Sequence, residues 1–382
     1  MKGRYVVILL AVAAIAAAVL IGSGGGGGKG GSSGGKAAGN ALRVSFAYSP
    51  EKETLLRPLI ARFNSERKDS GGRPVYIDAQ VVSSGDAQMR IAQGKLAPVL
   101  WSPASSLWGR LLNFEADKPF VPRDNPSIVR TPLVIAMWEP LARALGWPAK
   151  PIGFQQVLRL ALDRRGWAAY GKPQFGQFKL GHTNPDFSTS GLSAVAAEYY
   201  AATGKREGLT LQDIARPDVR RQIQAIERSI VHYGDTTLFF ADQLRRNGPG
   251  YASAVAMEEA TLIDFNTKQG NGTKLVAVYP AEGSFASDNP LITLQAPWVT
   301  DAQRDGAKVF ADWLQSHVKP SVAARYGFRP ADSAARPPSP IDSAHGADPS
   351  QPKRALSLPE PRVLARIKQA WHNDRKAANI EL

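Results

Sequence analysis

Apolar positions along this chain alternate between the two-residue period of strands and the longer period of helices. Leu42 to Ala47 is strand-like. The turn Tyr48-Ser49-Pro50 follows, and Leu55, Leu56, Leu59, Ile60 and Phe63 then recur at helical spacing. Val75 to Val82 predicts the next strand, closing on Ser83-Ser84-Gly85-Asp86 and a helix through Met89 and Ile91 to Gly94. Pro98 to Trp101 repeats the unit: Ser102-Pro103-Ala104-Ser105-Ser106 leads into a helix carrying Leu107, Trp108, Leu111 and Leu112. Strands alternating with helices predict an α/β fold with a largely parallel sheet covered on both faces.

Further along, Ile128 to Trp138 reads as a long β run able to cross from one lobe to another. Phe178 to Gly181 is strand-like and precedes a hydroxyl-rich loop, His182 to Ser190, with helices expected from Gly191 to Thr203 and from Pro217 to Ser229. Val231 to Thr237 leads into a helix through Leu244; Ala260 to Asn266 and Lys274 to Tyr279 read as strands, and Gln303 to His317 as a helix. Beyond Pro330 proline, serine and alanine rise abruptly, which places the end of the globular body there, with one helix expected in the tail from Arg362 to Trp371.

Lys2 and Arg4 precede an uninterrupted apolar run from Tyr5 to Ile21, the charge order of an export signal. The run is at the short limit for a spanning helix and slightly long for a cleaved signal. A small-x-small cleavage site could fall among the alanines, but none is well placed just beyond the run, so both fates stay open and an uncleaved anchor, with everything after Ile21 outside the cell membrane, is favoured. From Gly22 to Asn40 the chain is nearly all Gly, Ser, Ala and Lys, a flexible tether.

Composition narrows the function classes. A chain of 382 residues with 43% hydrophobic positions carries enough apolar surface for two cores. The chain has no cysteine, so a disulfide framework, a thiolate metal site, a thiol nucleophile and a lipid-modified cysteine anchor are excluded. A formal charge of +14 favours an anionic partner. No aromatic-interleaved RNA-binding pattern and no DNA-reading helix accompany it, so nucleic acid is not the expected partner. The five histidines, His182, His232, His317, His345 and His372, have no metal-ligand spacing, and neither metal nor cofactor is expected. Asp186-Phe187-Ser188-Thr189-Ser190 matches a D-x-S-x-S metal pattern, but the aspartate does not end an apolar strand as that pattern requires. There is no G-x-S-x-G elbow and no committed carboxylate pair, which argues against an enzyme.

Several segments resemble the bacterial extracellular solute-binding proteins of the type II periplasmic fold, near the molybdate-binding branch that is sometimes fused to a von Willebrand A domain. The resemblance runs from about Leu42 to Asp332. It rests on Ser83-Ser84-Gly85 with Gln93-Gly94-Lys95, the Trp101 to Ser106 turn, Gly181 to Pro185 with Ser188 to Gly191, and Tyr233-Gly234-Asp235. Later matches are Tyr279 to Gly283, Ser287 to Pro290, Ala296 to Val299 and Arg325 to Pro330. It implies a two-lobed α/β clamp with two inter-lobe crossings, near Ile128 to Met137 and near Ala260 to Val278. The expected division is a signal peptide or anchor over 1–21 and a linker over 22–40. Lobe 1 is expected from 41–127 and 279–332, lobe 2 from 128–278, and a basic tail over 333–382. The implied function is extracytoplasmic capture of a small ligand, an oxyanion being one candidate, by a monomer serving a membrane permease of an ABC-type transporter. The alternative is a membrane-tethered envelope protein that keeps the fold without transport.

Ligands gather at the carboxyl ends of parallel strands, where helix starts offer unpaired N–H groups. The candidate contacts are therefore Ser49, Ser83, Ser84, Ser105, Thr183, Ser188, Ser190 and Tyr233, with Ser49, Ser84 and Thr183 favoured by the resemblance. Ser83, Ser105 and Ser188 also read as ordinary helix caps, and Tyr233 as core. Five acids, Asp235, Glu258, Glu259, Glu282 and Asp288, complicate an oxyanion site. If two face the cleft, a cationic or polyhydroxylated ligand is favoured over molybdate or sulfate.

Overall fold

A computed structural model of the chain describes residues 39–377. The segment expected as export signal or anchor and most of the glycine spacer lie outside the described residues. Among the described residues no helix is long and apolar enough to cross a membrane.

Two sheets form, one per lobe. In the first, β1 (Leu42–Tyr48) runs parallel to both β3 (Arg73–Val81) and β4 (Leu100–Ser102), with β2 (Asp69–Ser70) antiparallel on the β3 edge. Helices α1 (Glu53–Glu66), α2 (Ser84–Ala92) and α3 (Leu107–Ala116) connect these strands, as the alternating apolar periods predict. Phe46, Phe63 and Phe310 pack edge to face with Trp313 at the centre of this lobe, burying large aromatic area in a core otherwise made of aliphatic strand residues.

The second sheet is mixed rather than largely parallel. Strand β5 (Thr131–Trp138) is buried at every position and enters from lobe 1. Helix α4 (Glu139–Ala144) and helix α5 (Phe154–Leu162) follow, then β6 (Leu180–Thr183), α6 (Thr189–Thr203), α7 (Leu211–Ala215), α8 (Pro217–Glu227), β7 (Ile230–Gly234), α9 (Thr237–Asn247) and β8 (Ala254–Glu258). Strands β6, β7 and β8 are mutually parallel, but β5 runs antiparallel to β8 because it arrives from the opposite direction. Helix α10 (Glu259–Gln269), β9 (Leu275–Val278) and β10 (Ala286–Ser287) complete the lobe, β9 and β10 pairing in succession along β5. Only then does β11 (Ile292–Thr293) join β4 of the first sheet, followed by α11 (Asp301–His317) and α12 (Pro320–Arg325).

Three expectations are corrected here. Ala260 to Asn266 is not a strand but the body of α10, and the second crossing falls after Ser287 rather than at Ala260 to Val278. The α10 segment is buried around most of its circumference, which erases the polar face that marks a helix in sequence. The first crossing likewise lies before β5, at residues 124–130, where Ser127 pairs with Pro290 of the second crossing.

The globular body does not end near Pro330. The chain returns to lobe 2, where Ala277 N–H donates to Gly346 O at 2.7 Å and Leu356 N–H to Ser284 O at 2.9 Å. A last helix, α13 (Pro361–Ala377), then docks. Val363, Leu364, Ile367, Ala370 and Trp371 recur at helical spacing and are all buried, so an amphipathic stripe survives within a proline-rich, basic segment. Helix α13 spans the boundary between the lobes: Trp371 is sealed into lobe 2, while Lys368 lies over the Trp108 ring of lobe 1 at 5.6 Å.

Candidate functional site

The carboxyl ends of β1, β3, β6, β7 and β8 face each other across the lobe boundary. They enclose a narrow cavity of about 20 Å3. Lobe 1 contributes Ser49, Glu51, Ser83, Ser84 and Ala104; lobe 2 contributes Phe187, Ser188, Thr189, Asp235, Thr236, Thr237 and Glu258. Helices α2, α6 and α9 start at this cavity, and Glu258 stands as the residue before α10, so several helix N-termini converge on one space.

The lobes touch directly. Gly85 N–H donates to Phe187 O at 2.9 Å, and Trp108 Nε1–H to Thr189 Oγ1 at 2.7 Å. A side chain at Gly85 would meet the Asp186 carbonyl oxygen at 1.9 Å, so glycine is what lets α2 approach the lobe 2 loop.

Electrostatically the cavity is acidic. Lys52 is completely buried beside it, and its ammonium donates to Ser49 Oγ, to Glu51 Oε1 at 3.0 Å and to Asn289 Oδ1 at 2.8 Å. All three of its N–H donors are thereby used. Burial holds its pKa below the usual lysine value, against the pull of Glu51. Glu258, buried on the opposite wall, is pushed up to about 7, first by burial and then by Glu51 across the cleft. Asp235 adds a third carboxylate on the lining. The positive ends of α9 and α10 thus meet carboxylates of the protein itself.

Of the residues expected from sequence, Ser49, Ser83, Ser84 and Ser188 reach the cavity wall. Their hydroxyls are not equally free. Ser49 donates to Glu51 while accepting from Lys52, and Ser84 Oγ accepts from Ala104 N–H at 3.0 Å. Ser83 makes no side-chain cap bond.

The remaining four do not line this cavity. Ser105 Oγ accepts from Leu107 N–H at 3.3 Å as a buried turn residue. Thr183 and Ser190 are buried against each other, their hydroxyls 2.8 Å apart one layer behind Ser188. Tyr233 points into lobe 2 and donates to Glu227 at 2.6 Å.

Asp186 turns away from Ser188 and Ser190, to His372 at 2.8 Å and Lys368 at 3.7 Å on α13, so the D-x-S-x-S residues do not converge. His232 is exposed against the Phe239 ring. Glu51, Lys52, Thr236 and Thr237 escaped the sequence reading. Thr236 was detectable, because Gly234-Asp235-Thr236 after β7 repeats the strand-to-hydroxyl-to-helix pattern of Ser83, and its Oγ1 accepts from Phe239 N–H at 3.2 Å. The Lys52 knot depends on Asn289 at the distant crossing and left no local signal.

Two α/β lobes, each presenting strand ends and helix starts to a shared cavity, define a clamp for small solutes. The chain belongs to the family of bacterial extracellular solute-binding proteins, whose model matches residues 44–329. Members of this family act outside the cytoplasm as carriers of small ligands.

Solved structures agree on the fold. A periplasmic thiamin binding protein matches with a TM-score of 0.61 at 10% identity, covering 91% of this chain and 99% of its own. The periplasmic binding protein AfuA of Actinobacillus pleuropneumoniae, with fructose-6-phosphate bound, gives 0.59 at 14%, covering 88% and 99%. The sulfate-binding protein SubI of Mycobacterium tuberculosis H37Rv gives 0.51 at 16%, covering 77% and 88%. No curated protein matches the chain.

Proposed function

We propose that this protein captures a small solute rich in hydrogen-bond donors, carrying ammonium or hydroxyl groups, and delivers it to a membrane permease of the ABC type. In this reading it works as a monomer outside the cell membrane, with the N-terminal apolar segment as its export signal or anchor.

The observation that carries the ligand class is Glu258. It is a buried carboxyl on the cavity wall, with a second carboxylate, Glu51, opposite it. The nearby Lys52 has every donor committed to the protein, so it offers an incoming anion nothing. A sulfate or molybdate dianion placed here would meet Glu51, Asp235 and Glu258. An ammonium or hydroxyl group would find those same carboxylates as acceptors, with serine and threonine hydroxyls to complete its shell. In this reading the ligand differs in chemistry from that of the molybdate-binding branch. Proteins of this fold include a sulfate-binding protein, a thiamin-binding protein and one with fructose-6-phosphate bound, so the fold alone selects none of these ligands.

The test is titration calorimetry of the purified full chain with cationic amines, polyols, amino acids and oxyanions at pH 6 and pH 8. Across that interval Glu258, pushed up to about 7, loses its proton. Affinity for a cationic ligand should rise with pH, and that for a neutral polyol should change little. Tight oxyanion binding that weakens with rising pH overturns the ligand class and leaves the clamp.

A further inference from the structure

Behind the cleft, lobe 2 buries a second group of polar side chains that the clamp does not use. His182 on β6, Glu198 in the middle of α6 and Glu227 at the end of α8 are 0%, 1% and 1% exposed. Each offers one ligand atom within 4.8 Å of the others, the one such group among the described residues. Neither oxygen of Glu198 has a hydrogen-bond partner.

The geometry around His182 is specific. Its Nδ1 lies 2.7 Å from the Thr183 carbonyl oxygen, which only accepts, so Nδ1 carries hydrogen. A neutral ring then presents a lone pair at Nε2, and the atom 3.1 Å away is Glu227 Oε1, another acceptor. Oε2 of Glu227 is already filled by Tyr233 O–H at 2.6 Å and Trp371 Nε1–H at 3.0 Å. With Nε2 unprotonated, the ring nitrogen, Glu227 Oε1 and the Glu198 carboxylate turn three acceptors onto one point; with Nε2 protonated, His182 donates to Glu227 Oε1 as a buried ion pair and the two Glu198 oxygens remain without a partner. Buried acceptors so arranged require positive charge.

We propose that His182, Glu198 and Glu227 form a binding site for one divalent transition-metal cation, with zinc the best fit. One imidazole and two carboxylates are a borderline-soft set suited to zinc rather than to calcium or magnesium, which take oxygen ligands. Two carboxylates balance one dication. The Thr183 carbonyl fixes the ring tautomer, and Tyr233 and Trp371 orient Glu227, which is the supporting shell that metal-bound histidine and carboxylate commonly have. The site is sealed under Trp371 of α13, so the ion acts as a rivet joining β6, α6, α8 and the C-terminal helix. The ligands come from three separated elements, and histidine spacing in sequence therefore gave no sign of them.

The experiment uses tag-free full chain, dialysed against EDTA and then against zinc chloride, with bound metal measured by mass spectrometry and melting followed by circular dichroism. One equivalent of zinc should be retained and should raise the melting temperature by several degrees. Glu198→Gln, which removes a ligand but no hydrogen bond of the protein, should fold, lose retention and lose the zinc-dependent shift. Glu258→Gln, in the cleft, should retain the metal. Absence of stoichiometric zinc, retention in Glu198→Gln, or loss that follows Glu258→Gln instead each overturns the assignment. In the first case the cluster holds its positive charge as protons.

Discussion

Glu258 and Glu198 are both buried carboxyls of lobe 2, yet their surroundings differ. Glu258 lines the inter-lobe cavity, and one of the groups that raises it, Glu51, belongs to the other lobe. Glu198 lies within a helix buried on nearly every side, raised well above the usual range by burial and by Glu227 of its own lobe. The environment of the first changes when the clamp opens. That of the second is fixed by the packing of lobe 2 and by α13. What distinguishes Glu258 from Glu198 is that the charge which raises it after burial, Glu51, belongs to the other lobe.

The most damaging way to break this contrast is to unseal the inner cluster. Trp371 is fully buried and donates to Glu227 at 3.0 Å. Trp371→Ala leaves a large cavity and strips Glu227 of a donor. A loss of about 4 kcal/mol in urea-unfolding free energy is expected. A loss below about 1 kcal/mol would mean that α13 is an appendage and that Glu198 is not sealed by it.

The next largest effect tests the cleft side. The folded-state pKa of Glu258 is raised to about 7 from 4.5, so the folded chain holds a proton there that the unfolded chain has released. Stability from this group is intact below the unfolded value, declines as pH rises between the two, and stays lowered above about 7. Glu258→Gln removes the penalty. The variant should gain up to ~3 kcal/mol over the wild type at pH 8 and nothing at pH 4. It should also lose affinity for a cationic ligand. Equal stability differences at both pH values would show that Glu258 does not titrate in this range.

How much of this was legible in the sequence depends on how local the cause is. The β-α units of lobe 1 were read because each is written in contiguous residues, Leu42 to Phe63 and Val75 to Ile91 being two of them. Helix α10 was misread because burial around it removed its polar face. The C-terminal helix was expected, but its docking was not, since proline and basic residues outweighed the stripe ending at Trp371. At the site, hydroxyls before helix starts were visible at Ser83 and Ser188, because capping patterns are local. Tyr233 lies off the cavity because a strand residue preceding a site loop alternates inward, and here the inward neighbour is Glu227. The partners of Glu258 and Glu198 come from distant segments, and no spacing encodes them.

Opening the clamp without touching any ionisable group sharpens the comparison. Gly85→Ala would set a methyl 1.9 Å from the Asp186 carbonyl oxygen and 2.8 Å from the Trp108 ring, which forces the lobes apart. Ligand affinity should fall by roughly 10- to 100-fold, the equivalent of about 1.4–2.8 kcal/mol. Small-angle scattering should show a larger radius. Zinc retention at the inner cluster should not change, because that cluster lies wholly within lobe 2 and its α13 cover. A variant that binds ligand normally would place the closing contact elsewhere.

The smallest effect separates two adjacent serines on the cleft wall. Ser84 Oγ accepts from Ala104 N–H, so Ser84→Ala leaves a buried donor unmet and costs about 1 kcal/mol of stability with or without ligand. Any affinity loss in that variant mixes ligand contact with a disturbed turn. Ser83 lines the same cavity but caps no backbone group through its side chain. Ser83→Ala should therefore melt within about 0.5 kcal/mol of the parent in the absence of ligand. A drop in affinity there has no structural explanation other than a lost contact to the bound solute. If calorimetry instead finds unchanged affinity in Ser83→Ala and a loss in Ser84→Ala that matches its destabilisation, lobe 1 holds its ligand through Glu51 and backbone groups, and the hydroxyls serve the fold.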